Sequence, residues 1–331
     1  LLVKDLNQDT LLHAAVFRAG MSERNFRRNT VSFNHVVLED ASIGLFKMKY
    51  DTLINLDRII NNIEKHEKED DSSGLAMDFR IRSLDIYNTR FRYHDVNKDE
   101  IKHGIDYADL DIKLEMAELG EVVIEGDTVN LVVYDLAASE KSGFRINQLS
   151  GQFRLSPAFL NASDILLKTP ASDLSLDFSF ISTSWNDYKD FIQNIKIESH
   201  VRPSVLNLHD IGYFADPLLV MNNEVRLGGD FSGTVGNLKA KNFRFAYKNA
   251  RFNGDVTLFG LPFIRETFVN LDIKEMEFST SDIASFALPG EVRYLNISPT
   301  LDMFGTIGVS GNFTGFFDDF VANGSFSTDL G

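Results

Sequence analysis

The stretch Val225-Arg226-Leu227-Gly228-Gly229-Asp230-Phe231-Ser232-Gly233-Thr234-Val235 decides the fold. Val225, Leu227, Gly229, Phe231, Gly233 and Val235 fall on one side of an extended strand. Arg226, Gly228, Asp230, Ser232 and Thr234 fall on the other. Successive strand side chains point to opposite faces, so this alternation predicts a sheet with one apolar and one wet face. Ile307, Val309, Gly311, Phe313 and Gly315 stand in the same way against Gly308, Ser310, Asn312 and Thr314. Further strands are expected at 75–81, 110–116, 129–133, 174–180 and 250–258. Glycines inside such strands weaken them but leave room on the apolar face or permit a bend.

The stretch also belongs to a repeat. Gly151-Gln152-Phe153, followed by Leu160 and Ala162, recurs as Gly229-Asp230-Phe231 with Leu238 and Ala240. It returns as Gly311-Asn312-Phe313 with Phe320 and Ala322, at offsets of 78 (229 − 151) and 82 (311 − 229). Leu176-Asp177-Phe178-Ser179-Phe180 matches Gly254-Asp255-Val256-Thr257-Leu258, again 78 apart (254 − 176). One elongated unit repeated along the chain is the reading, with function spread along a surface. Its sub-units are 1–72 (strands plus an amphipathic helix), 73–150, 151–228, 229–310 and the start of another at 311–331. Each repeat is expected to hold roughly six strands, advancing about 29 Å at strand spacing. A separate pair, Leu38-Glu39-Asp40-Ala41-Ser42-Ile43-Gly44-Leu45 and Ile86-Tyr87-Asn88-Thr89-Arg90-Phe91-Arg92-Tyr93, is offset by 48 (86 − 38). Both read as strand, tight turn at Asp40 or Asn88, then strand.

Helical signals are few. Leu53, Leu56, Ile59, Ile60 and Ile63 share one face of a helix over 51–68, read as covering the apolar side of the sheet. The charged run 64–71 reads as its solvated end, leading into the linker Ser72-Ser73-Gly74. Ser184 is expected to cap a short helix bearing Trp185, Tyr188, Phe191, Ile192 and Ile195, and Ser204 another bearing Leu208, Ile211 and Phe214. A short turn is expected over 281–286. With no strand–helix alternation, the fold class is all-β with a few short helices. Of sandwich, barrel and an antiparallel sheet curled lengthwise into an open groove with an apolar interior, the repeat favours the groove, because it extends without closing.

Composition narrows function. The 331 residues contain no cysteine, which excludes disulfide, thiolate and zinc–thiolate chemistry. A net charge of −15 opposes binding to nucleic acid or anionic membrane surfaces. Aromatic content is lopsided, with 28 Phe against 9 Tyr and 1 Trp. Phenylalanine supplies apolar area without a polar handle, so it serves a dry core or a wall facing something greasy. No apolar run approaches the ~20 residues of a membrane-spanning helix. With no signal peptide, and an alternating pattern still running at Phe326-Ser327-Thr328-Asp329, the chain reads as a piece of a larger protein.

No catalytic constellation stands out. His13, His35, His66, His94, His103, His200 and His209 show no metal-ligand spacing and read as surface or strand-edge residues. Asp109 and Asp111 flank Leu110 on a wet strand face, where either acid–base work or solvation explains them. Four Asn-x-Ser/Thr matches, at Asn161, Asn296, Asn312 and Asn323, read mostly as chance within strand or turn patterns.

The turn-linked segments 36–43, Ser142-Gly143-Phe144-Arg145-Ile146-Asn147-Gln148-Leu149-Ser150-Gly151 and Leu227-Gly228-Gly229-Asp230-Phe231-Ser232-Gly233 leading to Asn237-Leu238-Lys239-Ala240 resemble the translocation and assembly module family TamB. The resemblance is to members of the Bacteroidetes type and runs from about Val31 to the end. TamB belongs to the AsmA-like group, similar to bridge-like lipid transfer proteins. The N-terminal membrane helix and the C-terminal domain of that family have no counterpart in these residues. The resemblance implies a long curled sheet that holds acyl chains, carries phospholipid between inner and outer membranes, and is not an enzyme. It implies a periplasmic setting in a Gram-negative bacterium, anchorage in the inner membrane and an Omp85-type barrel-assembly partner, both through parts outside this chain, and a link to outer-membrane protein insertion. No cofactor, metal or catalytic residue is implied.

The physics of such a role is consistent with the residues. Exposing a sixteen-carbon chain to water costs on the order of 12 kcal/mol at ~0.8 kcal/mol per methylene. A uniform apolar wall offsets most of this without trapping the lipid in one tight site. The residues expected to line that wall are Phe153, Leu176, Phe178, Phe180, Leu227, Phe231, Val235, Val256, Leu258, Ile307, Val309 and Phe313. Two other readings compete. One is a scaffold presenting strands to an incoming outer-membrane protein. The other is an extracellular β-solenoid binding glycan, disfavoured by the single Trp. Slips of one residue, which swap faces, are expected within 84–93 and 146–155.

Overall fold

A computed structural model describes residues 1–5, 8, 10–25, 30–51, 53–56, 78–290, 293–294, 298–316 and 318–330. Strand makes up 66% and helix 11%, an open curled sheet with few short helices, which is the class the alternation predicts. The chain divides into two compact units, Leu1–Arg154 and Leu155–Gly331.

The first unit contains strands β1 (Leu2–Lys4), β2 (Thr10–Asn25), β3 (Thr30–Lys47), β4 (Asp78–Asp95), β5 (Asp109–Glu125), β6 (Thr128–Glu140) and β7 (Arg145–Ile146). Strand β8 (Gln148–Ser156) carries the division between the units. Neighbours from β1 to β7 pair antiparallel except β3 and β4, which pair parallel. Their register sets Leu38 beside Ile86 and Leu45 beside Tyr93, so residues 48 apart in sequence are neighbours in the sheet. The internal offset is therefore a parallel register. Parallel pairing needs a crossover of a dozen or more residues. The 30 residues from 48 to 77 (77 − 48 + 1) supply it. Most of the helix expected over 51–68, the charged run, its linker and residues 75–77 lie outside the described residues.

Asp40 and Asn88 do not turn the chain. Strands β3 and β4 run straight through them, each residue taking a left-handed conformation at φ 49° and 45°. The Asn88 amide donates to Asp40 Oδ1 across the pair. Asn and Asp tolerate that region, so the signal read as a turn marks an irregularity inside a strand. The slip expected within 84–93 is not present as a register shift, because β4 keeps one register with β3 and with β5 through Asn88. Within 146–155, Gly151 takes φ 146°.

The second unit contains β9 (Phe159–Lys168), β10 (Asp173–Ile181), β11 (Lys196–Asn207), β12 (Glu224–Thr234), β13 (Asn237–Tyr247), β14 (Ala250–Phe259), β15 (Phe268–Ser279), β16 (Ala287–Leu288), β17 (Arg293–Tyr294), β18 (Thr306–Gly315) and β19 (Phe320–Thr328). β9 to β15, then β18 and β19, pair antiparallel in chain order, and β16 pairs with β17 alone. The span 151–228 thus begins in β8 and holds three further long strands before β12, rather than roughly six. Strands of nine to twelve residues use up the length.

The repeat encodes a line of bulges. β9, β11, β13 and β15 each carry one residue more than their partners at one level, around 163–164, 202–203, 241–243 and 274–275. Asp164 in β9 and Asn242 in β13 are left-handed there, at φ 54° and 50°. Their freed amides donate to Asp177 Oδ1 at 2.7 Å and Asp255 Oδ1 at 2.8 Å, acceptors that are themselves 78 apart (255 − 177). Two of the repeated glycines, Gly229 and Gly311, stand at the bulges of β13 and β15 with φ of 149° and 140°, and Gly151 in β8 has φ 146°. A Cβ at Gly311 would come within 2.2 Å of the Asn323 carbonyl oxygen.

Short helices close the strand ends. Ser184 and Asp187 form a capping box on the turn Trp185–Asp190, which leads into the helix Phe191–Asn194. Ser204 caps nothing, because β11 continues to Asn207, whose side chain accepts from the His209 amide and starts the helix Leu208–Gly212. The Ser204 hydroxyl is held by its own sheet, donating to the Arg202 carbonyl at 2.7 Å and accepting from the Ser175 amide at 2.9 Å. The turn expected over 281–286 is the helix Thr280–Ala284, capped by Ser279.

Two outcomes follow from the bulge line. Gly311→Ala places a side chain where L-residues are strained and the facing backbone is in contact, so it costs about 1–3 kcal/mol in urea unfolding. Gly20→Ala, where a Cβ meets only the His35 oxygen at 3.8 Å, costs less. Asp177 is held below the usual carboxylate range, first by the Arg202 guanidinium and then by the Asp164 amide. A depressed carboxylate stabilises the fold above its unfolded value of about 3.9, and that contribution is lost as pH falls through the folded value. The melting temperature should therefore drop on acidification below about pH 4, and drop less steeply in Asp177→Asn; equal slopes would remove Asp177 from the account.

Candidate functional site: the phenylalanine wall of the second unit

The antiparallel registers align the apolar residues into rows that cross the strands. One row runs Ala162, Phe178, Ser199, Phe231, Ala240, Val256, Leu271, Phe313 and Ala322, each directly opposite the next. A second runs Phe180, Ile197, Gly233, Leu238, Leu258 and Val269. Beyond the bulges a third runs Leu227, Phe245, Phe252, Met276, Val309 and Phe326. The rings touch along and between rows: Phe231 lies 5.6 Å from Phe243, and Phe243 lies 6.0 Å from Phe252. Phe178 lies 4.9 Å from Phe180, and Phe313 stacks on Phe320 at 4.7 Å.

Eleven of the twelve residues expected to line a groove are in this unit; Phe153 is in β8, on the other side of the division. Leu176, Phe178, Phe180, Leu227, Phe231, Val256, Leu258, Ile307, Val309 and Phe313 lie in its strands. Val235 does not, because β12 ends at Thr234 and Val235 belongs to the hairpin turn before Asn237. Phe243, Phe245, Phe252, Leu271 and Met276 complete the wall and were not singled out by the sequence. Their signal was the alternation Phe243-Arg244-Phe245, put out of phase with Leu238 and Ala240 by the bulge between them.

The wall is neither sealed nor bare. All twelve expected residues are half-buried. Among the described residues no phenylalanine is buried, and the largest fully buried side chains are Ile195, Val225, Thr89 and Asp282. A sealed sandwich buries its large apolar residues most completely, so this is not how such a core is arranged. Among the described residues, closure is found at the strand ends. At one end Leu206, Val225 and Tyr247 form a small core with Phe245 and Phe286, and the Tyr247 hydroxyl donates to the Ser285 carbonyl at 2.9 Å. At the other, Phe191 meets Phe180 edge-on at 5.2 Å, and Ile195 is fully buried. On β19 the face is open, with Phe320 53% and Phe326 71% exposed.

The opposite face is charged and cross-linked. Arg202 grips Asp177 with two nitrogens, at 2.6 and 3.3 Å, and His200 pairs with Asp230 at 2.7 Å. In the first unit Asp109 bonds Lys141 and His94, and Asp111 bonds Arg90. Asp109 is held below the usual range first by Lys141, and Asp111 first by Arg90. Carboxylates so held stay ionised and engaged, which is the arrangement of a structural ion pair rather than of a poised general acid. Among the described residues no group of three His, Asp or Glu side chains is placed to hold a metal ion.

No protein-family model, no curated protein and no solved structure matches this chain.

Proposed function

We propose that this chain is a segment of a periplasmic bridge-like protein that conducts phospholipid acyl chains along the phenylalanine wall between inner and outer membranes. The observation that carries the reading is the half-buried state of every expected wall residue, with no phenylalanine buried among the described residues. Apolar area left in water is unfavourable by about 25 cal/mol per Å². An acyl chain lying on the wall removes that penalty from both surfaces. The rows contain aliphatic and aromatic carbon with few hydroxyls, so no position holds the chain more tightly than the next. Bulges add curvature to a sheet, which lets such a wall wrap its cargo. The resemblance to TamB-like sequences supports the same role, with anchorage and outer-membrane partners supplied by regions outside the chain.

The exposed apolar residues of β19 favour a second reading, a scaffold that presents strands to an outer-membrane protein.

Site-specific photo-crosslinking in cells separates the two. Phe231 faces the wall, and Ser232 lies on the other face, opposite Glu198 and Lys239. Lipid adducts are expected at Phe231 and not at Ser232. Protein adducts at Phe231 would favour the scaffold, and none at all would mean a sealed core. In addition, Val309→Glu should abolish lipid transfer between vesicles while the circular dichroism spectrum stays that of the parent; unchanged transfer in a folded variant would remove Val309 from the path.

A further inference from the structure

A concavity of about 740 Å³ is lined by the charged-face residues Arg226, Arg244, Arg251, Glu275 and Glu277, with Leu227, Phe245 and Phe252 of the same strands also among its lining. It forms where the bulge in β11 distorts the sheet. Gly228 is buried beneath it, and a Cβ there would meet the Val201 carbonyl oxygen at 3.1 Å and the Pro203 nitrogen at 3.5 Å. The bulged backbone of 201–203 therefore overhangs this face and makes one side of the hollow.

Three arginines gather around the floor. Arg226 and Arg251 flank Ala246 in one cross-strand row, and Arg244 is two residues further along β13, opposite Gly228. At ~4.8 Å per strand, the backbones of Arg226 and Arg251 are about 10 Å apart, within reach of one small ligand for side chains of this length. All three are exposed, and among the described residues they make no ion pair. Arg202, Arg90 and Arg80 by contrast sit on Asp177, Asp111 and Glu125. Arg82 and Arg92 of β4 are exposed without an ion pair among the described residues, but stand singly, outside this hollow. The far rim is acidic: Glu277 lies directly opposite Arg251, and Glu275 opposite Asn253.

We propose that this hollow binds a small phosphate ester that also carries a cationic amine. Guanidinium forks match phosphate oxygens two at a time and are weakly hydrated, so three converging on one hollow select an oxyanion. The Glu275 and Glu277 carboxylates stand where an ammonium group on the same ligand completes the charge balance. In a chain of net charge −15, three unpaired arginines in one concavity are not accounted for by solubility. The arginines and glutamates lie on the opposite face from the wall, so the site stands whether or not the wall carries lipid. The chemistry fits both a free phosphoamine and the headgroup of phosphatidylethanolamine.

The test is calorimetric titration of the whole chain with O-phosphoethanolamine, alongside flotation with vesicles of phosphatidylethanolamine and phosphatidylcholine. Saturable binding of the free ester is expected, weakened about tenfold in Arg244→Gln and in Arg251→Gln. Glu277→Gln should weaken the ester but leave inorganic phosphate unchanged. Flotation lost in the same arginine variants would support the proposal and assign the group to a headgroup. Binding of the ester without flotation would support it and assign a soluble ligand. Absence of binding in both arms, or binding indifferent to both arginine variants and to Arg226→Gln, would overturn it. So would inorganic phosphate binding as tightly as the ester. The substituted side chains are exposed, and an unchanged melting temperature keeps a negative result from being read as misfolding.

Discussion

An extra residue in alternate strands, all at one level, is the constraint on which the second unit depends. A single bulge frees backbone groups that a neighbour must satisfy. Here the neighbour is an aspartate one strand on, Asp177 for the bulge at Asp164 and Asp255 for that at Asn242. Because each bulged strand lies between unbulged ones, the offsets cancel and the apolar rows stay in step across the sheet. The glycines belong to the same device. A bulged backbone moves into the space where the facing strand would place a Cβ, and at Gly229 that Cβ would sit 3.0 Å from the Lys241 oxygen and the Phe243 Cα.

With the rows aligned, the two faces take different roles. The charged face is fastened by cross-strand pairs, each weak in water, that fix register more than they add stability. Among the described residues the helices of the second unit lie at its strand ends, so the middle rows of the apolar face pack against one another and against whatever lies on them. The same bulge line that curves the apolar rows also raises the overhang above Gly228 on the charged face. One distortion of the backbone thus shapes both candidate sites.

Much of this was legible in the sequence. Alternation at 225–235 and 307–315 gave the class and the two faces, and Gly229 and Gly311, read as members of a repeat, stand at the bulges of β13 and β15. Four features were not legible for physical reasons. Asp40 and Asn88 carry the chemistry of a turn, and only strand pairing distinguishes a left-handed residue within a strand from one that reverses the chain. The parallel pairing of β3 and β4 is long-range, and the offset of 48 does not say that its two members touch. Phe243 and Phe245 were out of phase with Leu238 because one added residue inverts the apparent face. The arginine cluster joins residues from three strands, and its members are unremarkable in each strand taken singly.

The parallel register of β3 and β4 bears on how such a chain can change over evolutionary time. The connection is fastened to the sheet at its start, where Ile54 bridges Lys47 and the buried Asn55 accepts from the Phe46 amide and donates to the Gly44 carbonyl. A change in the number of residues between Leu56 and Asp78 leaves that fastening and the β3–β4 register in place, since both are set by residues outside it. Within β9 to β15 the opposite holds. One residue gained or lost in a strand transfers its phenylalanines to the charged face unless a bulge absorbs it, so the length of these strands can change only together with a bulge or by whole strands.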